Sequence, residues 1–510
     1  VEIHTEDVEG LDLSAFNALR RTYPKSNDEN CTGWMSVRLD RQPHTLVKVL
    51  AQPMQIWDLA FTSGTSWAGD PPSRKELDWE ITKPGRCTAV ACWFTLRVGD
   101  LTISSTPQCA GGKAMSATNY SHGFKQAVHY LGEEWPVDVG TVLRFAVHFL
   151  EKVQSARFEL LEAKAAPLQM KPVPEPLATM LTKMTPGATL PVQSYHFTMI
   201  ADSARNHAYR NAIEHAVVQL KEKLGRTPRV LDIGTGTGLL AMIAARAGAD
   251  VWAVEMNPLL RAVASECICR NSDQCKGCIE LLPPLLSTQL VVGRELPHRV
   301  DLVLSEVLDA DLIAEGVLVS LRHAKEELMT PEGLLIPAGA GMFVAPVECT
   351  PVESATDEWD LEPLGKECTV GYQPFRYESM PHRFLGPAVL ALDFDFQRIP
   401  RPKAGAPVLV TSQQLAAKLH ELKCDEAGKL NGLAWWFDVY LTEVDGKTLT
   451  LPAGPGSKQR TWKQNCRFLP QPLQVQKGDV VEVVCAHDES TMMFELHEDL
   501  KRQQSMMGHR

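Results

Sequence analysis

Two carboxylates, Glu306 and Glu315, stand nine residues apart in the run Ser305-Glu306-Val307-Leu308-Asp309-Ala310-Asp311-Leu312-Ile313-Ala314-Glu315-Gly316. On an α-helix, at about 100° per residue, that spacing puts them on opposite faces, so they converge only if the segment is a looped hairpin. Val307, Leu308, Leu312 and Ile313 interleave with the acids. Such a loop packs against the protein, where carboxylates are costly unless they meet a cation. Two carboxylates around one planar guanidinium satisfy its donors in fork geometry. The alternative for these residues alone is a solvated acidic loop.

A second constellation is Val230-Leu231-Asp232-Ile233-Gly234-Thr235-Gly236-Thr237-Gly238-Leu239, a strand running into a glycine turn and then a helix. Gly234, Gly236 and Gly238 let the backbone approach a ligand at the carboxyl edge of a sheet. A dinucleotide fingerprint would need its third glycine at Leu239, so an adenosyl cofactor without a pyrophosphate fits better than NAD. Glu255 closes the next strand, where its carboxylate can accept both ribose hydroxyls. The alternative is a turn that merely packs helix on strand. Cys267, Cys269, Cys275 and Cys278 have a zinc-like spacing, but two cysteines two residues apart on a helix do not share a face, and no metal is expected. His207 and His215 read as ordinary helix histidines rather than ligands.

The elements that must position these residues alternate in type. Tyr195 to Leu220 reads as helix, Arg229 to Ile233 as strand, Leu239 to Ala247 as helix, Val251 to Glu255 and Leu302 to Leu304 as strands, and Gly316 to Met329 as helix. That order implies a parallel, doubly wound sheet. Pro167, Pro172, Pro174, Pro176, Pro186 and Pro191 mark a linker before it. Ahead of the linker, runs such as Met54 to Leu59, Thr88 to Leu96 and Val142 to Val147 predict an all-β domain. The last third of the chain echoes the first: Ala91-Cys92-Trp93-Phe94 matches Ala434-Trp435-Trp436-Phe437, and Lys125-Gln126 with Gly140 matches Lys463-Gln464 with Gly478 at equal spacing. Pro43-His44 ahead of Asp58 likewise echoes Pro381-His382 ahead of Asp393. Two copies of one β domain therefore flank the mixed segment.

Composition bounds what such a molecule does. The 510 residues are 44% hydrophobic and 22% charged, an ordinary globular balance of about three domains. Fifty-one Lys and Arg against 62 Asp and Glu give a net charge of −11. That field disfavours nucleic acid and anionic membrane and favours cationic partners. No apolar run reaches the ~18 residues of a membrane span. The first residues show no secretory signal, and thirteen cysteines in so large a chain read as reduced thiols of a cytoplasmic or nuclear protein.

With these motifs the chain resembles the protein arginine N-methyltransferase family over nearly its whole length. Asp232 to Gly238 with Glu255 is similar to the family's S-adenosyl-L-methionine site, and Glu306 to Glu315 to its double-glutamate loop. Met199, Asp202 and Arg205 match a helix in which the arginine binds the cofactor carboxylate and the aspartate belongs to the active site. Thr461-Trp462-Lys463-Gln464 resembles the Thr-His-Trp barrel loop, with Thr461 where relatives have histidine. Ser121 to Gln126, which keeps His122, resembles an altered copy. The resemblance implies an α/β + β architecture, a class I methyltransferase Rossmann-like domain flanked by two β-barrel domains as in the family's tandem members. The implied division is a barrel of a preceding incomplete module at 1–162, a Pro-rich linker at 163–193, the cofactor domain at 194–338, and a barrel with a dimerisation arm at 339–510. It implies Glu306, Glu315, Asp202 and Trp462 at the reaction and Met199, Arg205, Asp232, Gly234, Gly236, Gly238 and Glu255 at S-adenosyl-L-methionine. Partners would be Arg-rich protein substrates, without direct nucleic-acid or membrane contact, in a homodimer or a pseudo-dimer within a longer chain. Thr461 leaves open a catalytically impaired scaffold of the same fold.

Overall fold

The computed structural model describes residues 2–3, 7–17, 19, 34–37, 47–57, 73–98, 101–107, 126–150, 155–168, 175, 177–182, 194–349, 372–379, 381–401 and 416–501. Pro43, His44, Asp58 and the loop Ser121 to Lys125 lie outside them. The chain divides into two compact units, Val1–Ala201 and Asp202–Arg510. The expected divisions at 162, 193 and 338 differ from this one. The helix Ser194–Ile200 groups with the first unit, while the parallel sheet and the strand-rich remainder form the second.

In the first unit, strand Gln126–Val137 pairs antiparallel with Trp34–Val37 and Gly85–Cys92. Val142–Leu150 pairs with Arg74–Glu80 and Ser155–Glu162. Leu50, Ile81, Cys87, Val90, Val137, Leu143 and Phe145 form a buried cluster. The expected strand at Met54 is not regular over its described residues.

The second unit opens with the helix Ser203–Leu224. The single helix expected over Tyr195 to Leu220 is instead two, because Asp202 leaves helical geometry at ψ 88° and its side chain accepts from Arg205 N at 3.2 Å as an N-cap. Arg205, Asn206, Tyr209, Ala212, Ile213, Ala216, Val217 and Leu220 are buried at helical spacing, which turns one stripe to the core. Five parallel strands follow in the order Ile279–Leu281, Asp250–Val254, Arg229–Ile233, Val300–Ser305, Met329–Ile336. The order reverses direction between Arg229–Ile233 and Val300–Ser305, which opens a crevice at their carboxyl ends. The helix expected to reach Met329 ends at His323, and Ala324–Leu328 forms one wider turn before Met329 enters its strand.

The remainder is antiparallel. Gly428–Val444 lies between Gly339–Cys349 and Gln464–Val475, and a second sheet joins Ala416–Lys423, Val480–His487 and Met492–Leu496. The strand pairing of the first unit recurs here. Gln126 Nε2 donates to Ser105 O at 2.8 Å, and Gln464 Nε2 donates to Ala453 O at 2.7 Å. Gly140 N reaches Ile81 O at 2.8 Å, and Gly478 N reaches Cys424 O at 2.7 Å, each glycine with a positive φ.

Candidate functional site

The crevice at the sheet's reversal is lined by the two motifs that the sequence singled out. Gly234 N and Thr235 N donate to Val254 O, which folds the glycine turn back over the neighbouring strand. Gly234 has φ +71°, and a Cβ there would stand 2.7 Å from Val307 Cγ1 of the acidic loop, so the turn and the loop pack directly on each other. Gly236 has φ +59° and a Cβ there would meet nothing closer than 3.9 Å, so its backbone borders open space. Asp232 holds this corner: Oδ2 accepts from Thr235 Oγ1 at 2.5 Å and from Ala241 N at 3.1 Å. Burial pushes its carboxyl up to about 7, against the pull of those two bonds. Glu255 accepts from Gly236 N at 3.0 Å and Asn257 N at 2.8 Å, and burial raises it too.

Arg205 and Glu306 meet beneath the turn as a nearly buried ion pair: Nε to Oε1 is 3.1 Å and Nη2 to Oε2 is 2.5 Å, the fork geometry of a bidentate contact. Arg205 Nη1 also donates to Asn206 Oδ1 at 2.7 Å. Burial alone would lower Arg205, but Glu306, with Tyr209 and Asp202, more than offsets it, and the guanidinium stays charged. Burial raises the Glu306 carboxyl, and Arg205 opposes that shift.

Residues 306–316 form an irregular turn-rich loop rather than a helix, as convergence of the two glutamates requires. Leu312 is left-handed at φ 70°, an unusual conformation for a leucine. Glu315 is exposed at the rim. Its surroundings still shield the carboxyl enough to push it up to about 7, with the like charges of Glu306 and Asp309 adding to the rise. Side chains of the antiparallel part grip the loop, three of them among the described residues: Trp462 Nε1 donates to Leu308 O at 2.8 Å, Asn465 Nδ2 to Ala310 O at 2.7 Å and Trp435 Nε1 to Asp311 Oδ1 at 3.0 Å. Trp462 is buried against Phe437, and its indole N–H supports the loop. On the other side, Asp202 Oδ2 accepts from Arg460 N at 2.5 Å, Thr461 N at 2.8 Å and Thr461 Oγ1 at 2.8 Å.

The structure therefore brings together Asp202, Arg205, Asp232, Gly234, Gly236, Glu255, Glu306, Glu315 and Trp462. Gly238, at φ +83°, packs on Ile268 and caps the following helix, one step removed from the crevice. Met199 lies on the short helix of the first unit. Among the described residues no group of three or more His, Cys, Asp or Glu is arranged to hold a metal. Cys267 is buried, Cys269 and Cys278 are exposed, and Cys275 donates to Asn271 O. No described helix is long and apolar enough to cross a membrane. Sequence reasoning missed Tyr209, Trp435, Asp311 and Asn465. Tyr209 follows Arg205 by four residues and so shares its face, and Arg205 sits 5.5 Å from its ring centroid. Asn465 and Trp435 act across the fold, which no local spacing reports.

The residues present fit an aminoacyl nucleoside. Asp232 Oδ1, Tyr209 Oη and Ser305 Oγ are buried without a hydrogen-bond partner among the described residues. Natural structures rarely leave such atoms unsatisfied unless a ligand or water completes them. A carboxylate oxygen suits an ammonium, Arg205 suits a carboxylate, and the open space at Gly236 beside Glu255 suits a ribose.

The chain is similar to known proteins over much of its length. A family model described as the arginine methyltransferase oligomerization subdomain matches residues 339–499. The chain is 32% identical over 350 residues to the arginine N(omega)-methyltransferase of Streptomyces achromogenes subsp. streptozoticus, covering 67% of this chain and 89% of that protein. It is 30% identical over 292 residues to protein arginine N-methyltransferase 6 of Xenopus laevis, covering 56% and 80%. With protein arginine N-methyltransferase 7 of Drosophila yakuba it shares 32% over 332 residues, 59% of this chain and 47% of that one, so it spans about half of that relative's length. The solved Trypanosoma brucei PRMT1 enzyme-prozyme heterotetrameric complex with AdoHcy superposes with TM-score 0.47 at 20% identity, covering 58% of this chain and 89% of that one.

Proposed function

Because the chain belongs to the protein arginine N-methyltransferase family, we propose that it transfers methyl groups from S-adenosyl-L-methionine to guanidinium nitrogens of Arg-rich proteins, giving monomethyl or symmetric dimethyl arginine. The observation that carries the reading is the Arg205–Glu306 pair at the sheet's reversal, which joins the residues suited to a cofactor to the loop suited to an arginine. When bound, S-adenosyl-L-methionine supplies a methyl group already activated on a sulfonium. What is left to the protein is placement.

Arg205 would hold the methionine part, Asp232 Oδ1 its ammonium and Glu255 the ribose. Gly234, Gly236 and Gly238 shape the turn that admits them. Glu306 and Glu315 would hold the substrate guanidinium from two sides and draw its positive charge onto the nitrogens they contact. That leaves the remaining nitrogen the better nucleophile. Glu315, at about 7, is the carboxylate suited to accept the proton the methylated nitrogen gives up. Asp202 and Trp462 keep the acidic loop and the first helix in register.

We also read the chain as a tandem repeat, with barrel domains at 1–162 and 339–510, a linker at 163–193 and the cofactor domain at 194–338. The equivalent bonds of Gln126 and Gln464 support this. The oligomerization-subdomain match supports a homodimer, or a pseudo-dimer within a longer chain. A net charge of −11 favours Arg-rich partners over nucleic acid or membrane, and free cysteines fit the cytoplasm or nucleus. Mass spectrometry of an Arg-rich peptide incubated with isotope-labelled cofactor tests the reading. Labelled methyl on arginine is the expected result, and cofactor binding without any transfer would mark a scaffold instead.

A further inference from the structure

We propose that Trp435 is a positioning residue for the transfer: its indole N–H, bonded to Asp311, holds the acidic loop in the shape that lets Glu315 face Glu306. The proposal rests on the arginine-methylation reading and adds a residue to it. Asp311 and Trp435 are each 1% exposed, and Nε1 to Oδ1 is 3.0 Å. The indole is fixed in turn by stacking on Phe494, with ring centroids 4.6 Å apart and planes at 25°. The other two grips on the loop, from Trp462 and Asn465, end on backbone carbonyls. Trp435 alone of the three takes hold of a side chain, and it does so immediately before Leu312, the left-handed residue at φ 70°. A leucine stays in that conformation only where its neighbours hold it there. Drawing the Asp311 side chain into the antiparallel core turns the chain at Leu312. Beyond that turn Ile313 is buried again and Glu315 comes within electrostatic reach of both Glu306 and Asp309. The bond thus acts on the chemistry through loop shape, without touching substrate.

The test compares Trp435→Phe, which keeps a ring against Phe494 but removes the donor, with Asp311→Asn, which keeps an acceptor oxygen. W435F is expected to lower kcat/KM for an Arg-rich peptide roughly tenfold to a hundredfold, the consequence of losing a buried bond to a charged group. S-adenosylhomocysteine affinity should stay within about twofold of wild type, since the glycine turn is untouched. In the same variant, hydrogen exchange at amides 309–316 should quicken while exchange in the parallel sheet stays slow. D311N should retain both the loop protection and most of the activity. Unchanged loop exchange in W435F, or quickened exchange spread evenly over the whole chain, would overturn the proposal. Should W435F fail to fold, Asp311→Ala, which removes the acceptor, decides by itself: quickened loop exchange with slowed transfer upholds the bond, and wild-type loop protection refutes it. A wild-type protein that methylates no arginine would refute the functional reading, while the loop exchange would still decide on the latch.

Discussion

Glu306 and Glu315 carry the same side chain into different surroundings, and their substitutions should part accordingly. Both Glu306→Gln and Glu315→Gln are expected to lower kcat by orders of magnitude. Only E306Q strips a nearly buried Arg205 of its counter-charge, which should cost about 3–5 kcal/mol in thermal or denaturant unfolding. E315Q, at the exposed rim, should melt within about 0.5 kcal/mol of wild type. Equal melting of the two would show that the ion pair contributes nothing. With Glu315 at about 7, transfer should fall as pH drops through that value, because the protonated carboxyl no longer attracts a guanidinium. A pH–rate profile of E315Q should lose this limb. Asp232 bears on stability rather than on the rate. Its folded-state carboxyl titrates near 7, above its ordinary value of 3.8, so folding takes up a proton between those limits and the cofactor-free protein loses stability as pH rises through them. Asp232→Asn should flatten that dependence, stabilise the protein at pH 8 by roughly a kcal/mol or more, and weaken S-adenosylhomocysteine binding. Melting curves at pH 5 and 8 with matched calorimetry check both halves.

The glycine turn was readable letter by letter because a strand, a turn and a helix are local events, and so was the alternation that built the parallel sheet. Within it, the structure separates two glycines of like appearance. Gly234→Ala would drive a Cβ against Val307 and should damage both fold and cofactor affinity. Gly236→Ala, with open space before it, should cost only the left-handed strain of roughly 1–2 kcal/mol while blocking the ligand. Comparing melting temperature with S-adenosylhomocysteine affinity for the two variants separates them. The break at Asp202 was hidden by a helical pattern that continues across it, and only the N-cap geometry reveals where the helix restarts. Trp435 was visible in the sequence as part of a repeated run, yet its reach to Asp311 spans 124 positions and belongs to tertiary folding.

At the scale of the whole chain, Gln126 and Gln464 make matching bonds, so the proposed tandem repeat can be tested by comparing them. Gln126→Ala and Gln464→Ala each remove a buried donor to a loop carbonyl and should each cost about 1–3 kcal/mol of stability. Only Q464A should also lower methyl transfer, since only that copy carries Thr461 and Trp462 next to Asp202 and the acidic loop. Equal losses of activity would mean that both copies serve the reaction. Asp202 itself joins the cofactor fold to the antiparallel fold through three donors, and two of those are main-chain N–H groups of Arg460 and Thr461. Main-chain donors survive almost any substitution at their own positions. The junction is therefore insulated from drift on one side and brittle on the other: a saturation library should tolerate most residues at 460, accept many at 461, and reject nearly everything at 202.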